Sequence, residues 1–234
     1  MRELYNEGKL NELQSRFYQP TRPVEELYDL EKDPFEINNL AEDPKYAKKL
    51  KTMRLQLYAW MDNTNDVGII PEPILEDMGK KYGNKYTAMK QPEYANIHKR
   101  LILVIEAGEK QEINYLLKSA GSDEPAERYW AVTWLGVNKV PSTLDKVKAM
   151  TEDKDPAVRI AANLALYKID PTYDPLPELG KLAENRNLIA GMYAMSAIEQ
   201  TGIRTDAVKA IAKKATESPY DFTQRYGKYL MNAE

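Results

Sequence analysis

The chain has no cysteine and a single histidine, His98, among 234 residues. Without cysteine there is no disulfide, no thiolate metal site and no cysteine nucleophile. His98 has no second titrating partner near it in sequence, so it reads as a core or capping residue and not as a base. Long apolar runs are missing too. No stretch of about 18 apolar residues occurs, and the first 30 residues are charged throughout, so the sequence shows neither a membrane span nor a signal-peptide pattern. An excess of charge of either sign is also lacking: 33 basic against 36 acidic residues leave a net charge of -3. That balance gives no global electrostatic reason to expect nucleic acid or an anionic membrane as partner. The length accommodates two units with cores of their own.

What is present is organised around Glu25 to Ala41, Glu-Glu-Leu-Tyr-Asp-Leu-Glu-Lys-Asp-Pro-Phe-Glu-Ile-Asn-Asn-Leu-Ala. Leu27 and Leu30 bracket Tyr28 and Asp29 in a short run bounded by Pro20 and Pro23 upstream and by Asp33-Pro34 downstream, which predicts a single strand. Asp33 and Pro34 together predict a tight turn, because the Asp side chain can bond its own downstream backbone while Pro presets φ. Asp29, Glu31 and Asp33 alternate as calcium-loop ligands do. The rest of that pattern fails, since the sixth and twelfth positions hold Pro34 and Leu40 where an EF-hand needs Gly and Glu. Turn capping is the better account of these acids.

The order of Glu-Leu-Tyr-Asp-Leu, Asp-Pro and Asn-Leu-Ala in this stretch resembles a segment that sulfatases carry near the end of their catalytic chain. The likeness extends from Met1 to about Asn65. It implies the end of a small C-terminal α+β subdomain and a parent that hydrolyses sulfate esters or sulfamates, with sulfated carbohydrate as the substrate class. In that family a formylglycine, made from the Cys or Ser of a Cys/Ser-x-Pro/Ala-x-Arg signature, attacks sulfur beside a calcium ion. This chain has no such signature, and the calcium and sulfate ligands of the family lie upstream of the matching segment. The resemblance therefore implies no catalytic residue, no metal ligand and no cofactor here, with calcium and formylglycine belonging to the parent. Its implied partner is an N-terminal sulfatase catalytic domain absent from this sequence. Arg16, Tyr18 and Arg22, next to the matching strand, are the residues it suggests as contributors to a substrate pocket.

Asp43 as N-cap and Pro44 at the first helical position open a helix that runs to about Thr64. Tyr46, Leu50, Met53, Leu57, Trp60, Met61 and Thr64 fall at helical spacing and form its packing face, leaving five basic residues mostly on a solvated side. Between Asn65 and Gln91, Gly68, Pro71, Pro73, Gly79 and Gly83 break any long pattern, which predicts a linker. Tyr82 and Tyr86 with the lysines around them offer stacking and charge for a sugar or an anion, but linker aromatics more often pin a segment to the domain beside it.

From Pro92 onward the sequence repeats. Pro125 to Leu135 superposes on Pro156 to Leu166 with a period of 31 residues, matching Ala126 with Ala157, Arg128 with Arg159 and Ala131 with Ala162. A further copy surrounds Asn187 to Ile198 and a degraded one begins at Pro219. Periods of this size mean stacked helix pairs. Asp155-Pro156-Ala157-Val158-Arg159 with Ala161 and Ala162 resembles the second helix of HEAT-like repeats. The partner helices fall near 112–119, 143–150, 175–182 and 205–215. Arg128 and Arg159, equivalent in successive copies, predict ion pairs with turn residues such as Asp123, Asp153 or Asp155.

The sequence thus predicts a mostly α chain: the end of an α+β subdomain over 1–66, a linker over 67–91 and an α-solenoid of HEAT-like helix pairs over 92–234. The functional reading is the C-terminal, non-catalytic portion of a sulfatase-like hydrolase, cut from something longer. The rival reading is a free-standing interaction module whose repeats bind a protein partner. The sequence assigns no compartment, although relatives of the resembled family are often exported.

Overall fold

The computed structural model describes residues 1–19, 22–185 and 187–232, with the side chain of Arg2 left aside. Pro20, named above as a boundary of the expected strand, lies outside the described residues. Helices hold 65% of the described residues, and no strand is present among them. The chain divides into two units, Met1–Trp60 and Met61–Glu234.

The first unit begins with two short helices, α1 (Arg2–Asn6) and α2 (Glu12–Ser15), separated at Gly8 by a left-handed φ of 67°. Asn11 and Gln14 exchange side-chain and backbone bonds and so cap α2 on both sides. Asp43 accepts from the Lys45 N–H at 2.9 Å and Pro44 opens a 3₁₀ turn, which continues into α3 (Ala47–Thr64) as the sequence predicts. The packing stripe of α3 is not covered, however. Met53, Leu57 and Trp60 are 43%, 53% and 56% exposed, and α3 buries no residue. Leu27 is the one buried residue of this unit among those described.

The predicted strand at Leu27–Leu30 does not form. A strand needs a second strand's ladder, and this segment receives a side chain in its place. Asn39 accepts from the Leu27 N–H at 2.9 Å and donates to the Glu25 carbonyl at 3.1 Å, while the Leu40 N–H reaches the Leu27 carbonyl at 2.8 Å. One amide side chain thus takes the place of a neighbouring strand for a residue or two. It cannot propagate a sheet.

The second unit is helical throughout. After α3 come α4 (Glu72–Tyr82) and α5 (Lys85–Met89), then α6 (Ile97–Glu109) and four helix pairs. The pairs are α7 (Ile113–Ser119) with α8 (Pro125–Val137), α9 (Leu144–Met150) with α10 (Pro156–Ile169), α11 (Leu176–Ala183) with α12 (Ala190–Thr201), and α13 (Asp206–Ala215) with α14 (Asp221–Met231). The second helices begin at 125, 156, 190 and 221, so the register of 31 residues slips by three only once. Helices α6, α8, α10, α12 and α14 stack as one layer, and α7, α9, α11 and α13 form the other.

The second helices α8 and α10 start where the sequence predicts, at Pro125 and Pro156. Asp155 accepts from the Ala157 and Val158 N–H groups at 2.8 and 3.4 Å, and Pro156 fills the first position without a donor to lose. Small residues then let the layer close up. A Cβ on Gly136 would stand 2.6 Å from the Cα of Ala165, so α8 and α10 touch backbone to backbone there. Two apolar cores result, one running from Val104 to Leu166 and one from Ile160 to Leu230.

The linker expected over 67–91 is instead a pair of helices with a third core of their own. Ile70, Ile74, Met78 and Ala88 bury against Ile97 and Leu101 of α6, Ala126 of α8 and Ala157 of α10. Four hydrogen bonds, made by three residues of the array, extend this strap along it. Trp130 of α8 donates to the Ile69 carbonyl at 2.9 Å. Asn187, just before α12, donates to the Pro73 carbonyl and to Asp77 at 3.0 and 2.9 Å. The Glu72 N–H donates to the Tyr193 hydroxyl at 3.3 Å. The prolines and glycines that suggested a linker are start and stop signals: Pro71 and Pro73 open α4, and Gly83 ends it at φ 91°.

Candidate functional site

The sulfatase-like stretch is held by its own side chains. Asp33 accepts from the Ile37 and Asn38 N–H groups at 3.0 and 2.7 Å, so both its oxygens close the loop that Pro34 begins. Asp29 pairs with Lys32 at 2.7 Å. Glu25 takes the guanidinium of Arg54 in a two-pronged ion pair, and this lowers the Glu25 carboxyl from its ordinary value. Asn39 bridges Glu25, Leu27 and, through the Ala41 N–H at 3.0 Å, the residue that closes the stretch. Each polar residue of the motif that bonds backbone or a partner is accounted for by folding. Among the described residues no group of three or more His, Asp or Glu side chains is placed to hold a metal ion.

Of the three residues suggested for a substrate pocket, Arg16 donates to the Ile37 carbonyl and lies 3.6 Å from Glu12. Tyr18 stacks on Tyr5 with ring centroids 4.9 Å apart. Arg22 stands 4.0 Å from Glu26 and is exposed. Arg16 and Arg22 thus each meet a residue of the Glu25–Ala41 stretch, Ile37 and Glu26 respectively.

In the second unit the repeated arginines divide. Arg128, 5% exposed, makes two bonds to the Asp153 carboxylate at 2.7 and 2.8 Å and two to the carbonyls of Ser122 and Asp123 at 3.0 Å. Burial raises Asp153, but the Arg128 bonds and the Asp155 N–H outweigh it and leave the carboxyl below its ordinary value. Arg159 reproduces only the local half, donating to the Asp153 carbonyl at 2.9 Å. The predicted ladder thus has one ionic rung.

His98 is buried at the start of α6, with Nε2 3.3 Å from Asp62, which also pairs with Lys99 at 2.6 Å. The approach of His98 to Asp62 lacks the alignment of a hydrogen bond. Tyr82 and Tyr86 are pinned locally: Tyr82 bonds Glu93 and meets Tyr94 edge-on at 6.1 Å, and Lys90 sits 4.0 Å above the Tyr86 ring.

Two cavities open on the repeats. The larger, about 780 Å³, runs between α11 and α13 and ends at Pro219 and Tyr220. Its lysines are matched, Lys181 with Glu178 at 2.6 Å and Lys214 with Glu184 at 3.0 Å. The smaller, about 220 Å³, lies in the other layer between α10 and α12. Its lining combines the apolar Ile160, Leu164 and Ala197, the tyrosines Tyr129, Tyr193 and Tyr226, and the polar Thr133, Lys168, Ser196 and Gln200. Sequence reasoning missed these residues because they come from four different helices and no single repeat displays more than a few of them.

A two-layered stack of helix pairs with capped second helices is the architecture of a HEAT-like array. The sequence profile of HEAT repeats matches residues 113–190. Two kinds of sulfatase are also similar to this chain. An ulvan-active sulfatase of Formosa agariphila is 32% identical over 141 residues, which is 59% of this chain and 23% of that protein. The N-sulphoglucosamine sulphohydrolase of Homo sapiens is 43% identical over 53 residues, 22% of this chain and 11% of the enzyme. Sulfatase-homologous sequence and HEAT repeats therefore occur in one chain, which spans less than a quarter of the length of these relatives.

Proposed function

We propose that this chain is the non-catalytic C-terminal portion of a sulfatase-like hydrolase, acting on sulfate esters or sulfamates of carbohydrate. The observation that carries the reading is the combination of sulfatase similarity with the lack of a nucleophile: there is no cysteine, and no serine stands in a Ser-x-Pro/Ala-x-Arg signature. In this reading the formylglycine and the calcium ion belong to the catalytic domain of the parent. Residues 1–66 complete a C-terminal subdomain and the repeats from 92 onward extend it. The exposed stripe of Met53, Leu57 and Trp60 suits a segment shaped to pack on that missing domain. Arg16, Tyr18 and Arg22 would then border its substrate pocket.

The test is to read the genomic frame upstream of Met1 and to assay the chain alone and as the continuation of whatever that frame encodes. The expected result is an open frame with the Cys/Ser-x-Pro/Ala-x-Arg signature, sulfate release by the joined polypeptide, and none by the chain alone with or without calcium. A stop codon and ribosome site immediately upstream would favour the free-standing module. Turnover by the isolated chain that a substitution within it abolishes would refute the non-catalytic assignment.

A further inference from the structure

The smaller cavity, between α10 and α12, has three properties. Part of its lining is small and apolar, with Ala161, Ala165 and Ala197 among it. Three tyrosines also line it, and each brings a hydroxyl. The Tyr226 hydroxyl bonds Glu199 and the Tyr193 hydroxyl takes the Glu72 N–H, which fixes both rings in place. The third property is a cation without a counterion. Lys168 is half-buried in the lining, and among the described residues no carboxylate lies within ion-pair distance of it.

An uncompensated ammonium at this position calls for a cause. Lys168 stands in the last turn of α10, where the helix dipole favours a positive charge. An exposed position would serve that purpose equally. Here burial, and then the nearby ammonium of Lys139, hold Lys168 below the usual lysine range. A bound anion would offset both effects by favouring the charged ammonium. The larger cavity provides the contrast, since each of its two lysines already has a carboxylate partner.

We infer that this cavity binds one ring of a sugar carrying an anionic sulfate group, with the sulfate at Lys168 and the ring against the tyrosines. The apolar and aromatic lining matches the C–H faces of a pyranose. The hydroxyl and amide groups of Thr133, Ser196 and Gln200 match its hydroxyls. An acidic peptide fits less well: it needs backbone partners along an extended groove, and this is a small dent with one unpaired charge. The ligand class rests on the sulfatase reading above, whereas the cavity and its charge do not.

The test uses the full chain with ¹³C-methyl methionine, since Met192 lines the cavity and reports on it directly. Its signal is assigned by Met192→Leu in a separate sample. Titration with N-sulfoglucosamine is expected to shift Met192, glucosamine and inorganic sulfate to shift it at least fivefold less at equal concentration. Lys168→Met should weaken the response at least tenfold, Lys168→Arg should restore most of it, and Lys181→Met at the other cavity should leave it unchanged. The remaining methionine signals show that each variant is folded. Gln200→Ala, at an exposed position, provides a second reduction in affinity that no folding defect explains.

A Met192 signal indifferent to the sulfated sugar overturns the proposal. So does an equal response to glucosamine, an equal response to sulfate alone, or a response only to an acidic peptide. Failure here and failure of the enzyme reading are separable. Sulfate release by the joined polypeptide with a silent Met192 refutes the cavity alone, and a responsive Met192 in a protein that releases no sulfate refutes the enzyme alone.

Discussion

Arg128 and Arg159 occupy the same place in consecutive repeats, yet they should not be worth the same. Removing Arg128 leaves Asp153 buried without its partner, so Arg128→Ala is expected to cost about 3 kcal/mol, the low end for breaking a buried pair. Arg159→Ala loses one bond to a carbonyl and should cost about 1 kcal/mol. Chemical denaturation of the two variants checks the ratio, and equal losses would contradict it. The pair also sets a pH dependence. The Asp153 carboxyl is lowered by folding, so its contribution is present above its unfolded value of about 3.8 and is lost as pH falls through the lower, folded value. The stability gap between wild type and Asp153→Asn should therefore be widest near neutrality and shrink as the solution is acidified below about pH 4. Asp155 works in the opposite sense, because burial raises it and its share is lost as pH rises through that raised value. The arginine equivalence was readable from the period; the asymmetry was not. It depends on which turn residue stands 25 positions on, and for Arg159 that position holds Glu184, which is paired with Lys214.

The helix pairs were legible in part, since α8 and α10 announce themselves with an acidic cap, Pro at the first position and small residues along one face, whereas α12 and α14 open without an acidic cap or a first-position Pro. The strap was not, because Pro71, Pro73, Gly79 and Gly83 are equally at home in a linker and at helix ends. What distinguishes the two is the company kept by Ile70, Ile74 and Met78, which only the tertiary fold reveals. The strand expected at Leu27 failed for the converse reason. Its local pattern was right, but the residue that satisfies its backbone is Asn39, a side chain beyond the turn. None of the cavity residues formed a motif, since a helical layer assembles such a site from separate repeats. At this scale Asn187 is the sensitive position. It donates to Pro73 and Asp77 of the strap and accepts from the Ile189 and Ala190 N–H groups that open α12. Asn187→Ala is expected to cost about 2 kcal/mol, the sum of a lost cap on α12 and the lost bonds to Pro73 and Asp77. Trp130→Phe loses the bond to Ile69 and part of the indole packing against Tyr129, and should cost about 1–2 kcal/mol. Thermal unfolding of both variants checks these losses, and a neutral Asn187→Ala would remove the strap from the list of stabilising elements.

The molecule as a whole joins two regimes of stability. The first unit buries one residue among those described, Leu27, whereas the second contains three apolar cores. Hydrogen exchange resolved by segment should be fast over residues 1–60 and slow in α8, α10 and α12. Uniform protection across both would show that the first unit has its full set of partners within this chain. Residues 92–234 expressed alone lose the strap and should melt more than about 5 °C below residues 61–234, given that about 1 kcal/mol moves a domain of this size by 2–4 °C. A simple array would be indifferent to that cut, because its repeats meet only their neighbours. The strap also bears on how such a protein can change over generations. Repeat arrays lengthen and shorten by duplication and loss of whole units, and an unbraced stack accepts either. Here a helix pair inserted between α8 and α12 would carry Asn187 and Tyr193 outward by about one interhelical spacing, 8–10 Å, beyond reach of Asp77 and Glu72. The segment 67–91 thus acts as a ruler for the copy number, so descendants should gain units beyond α14 and keep the count fixed from α6 to α12.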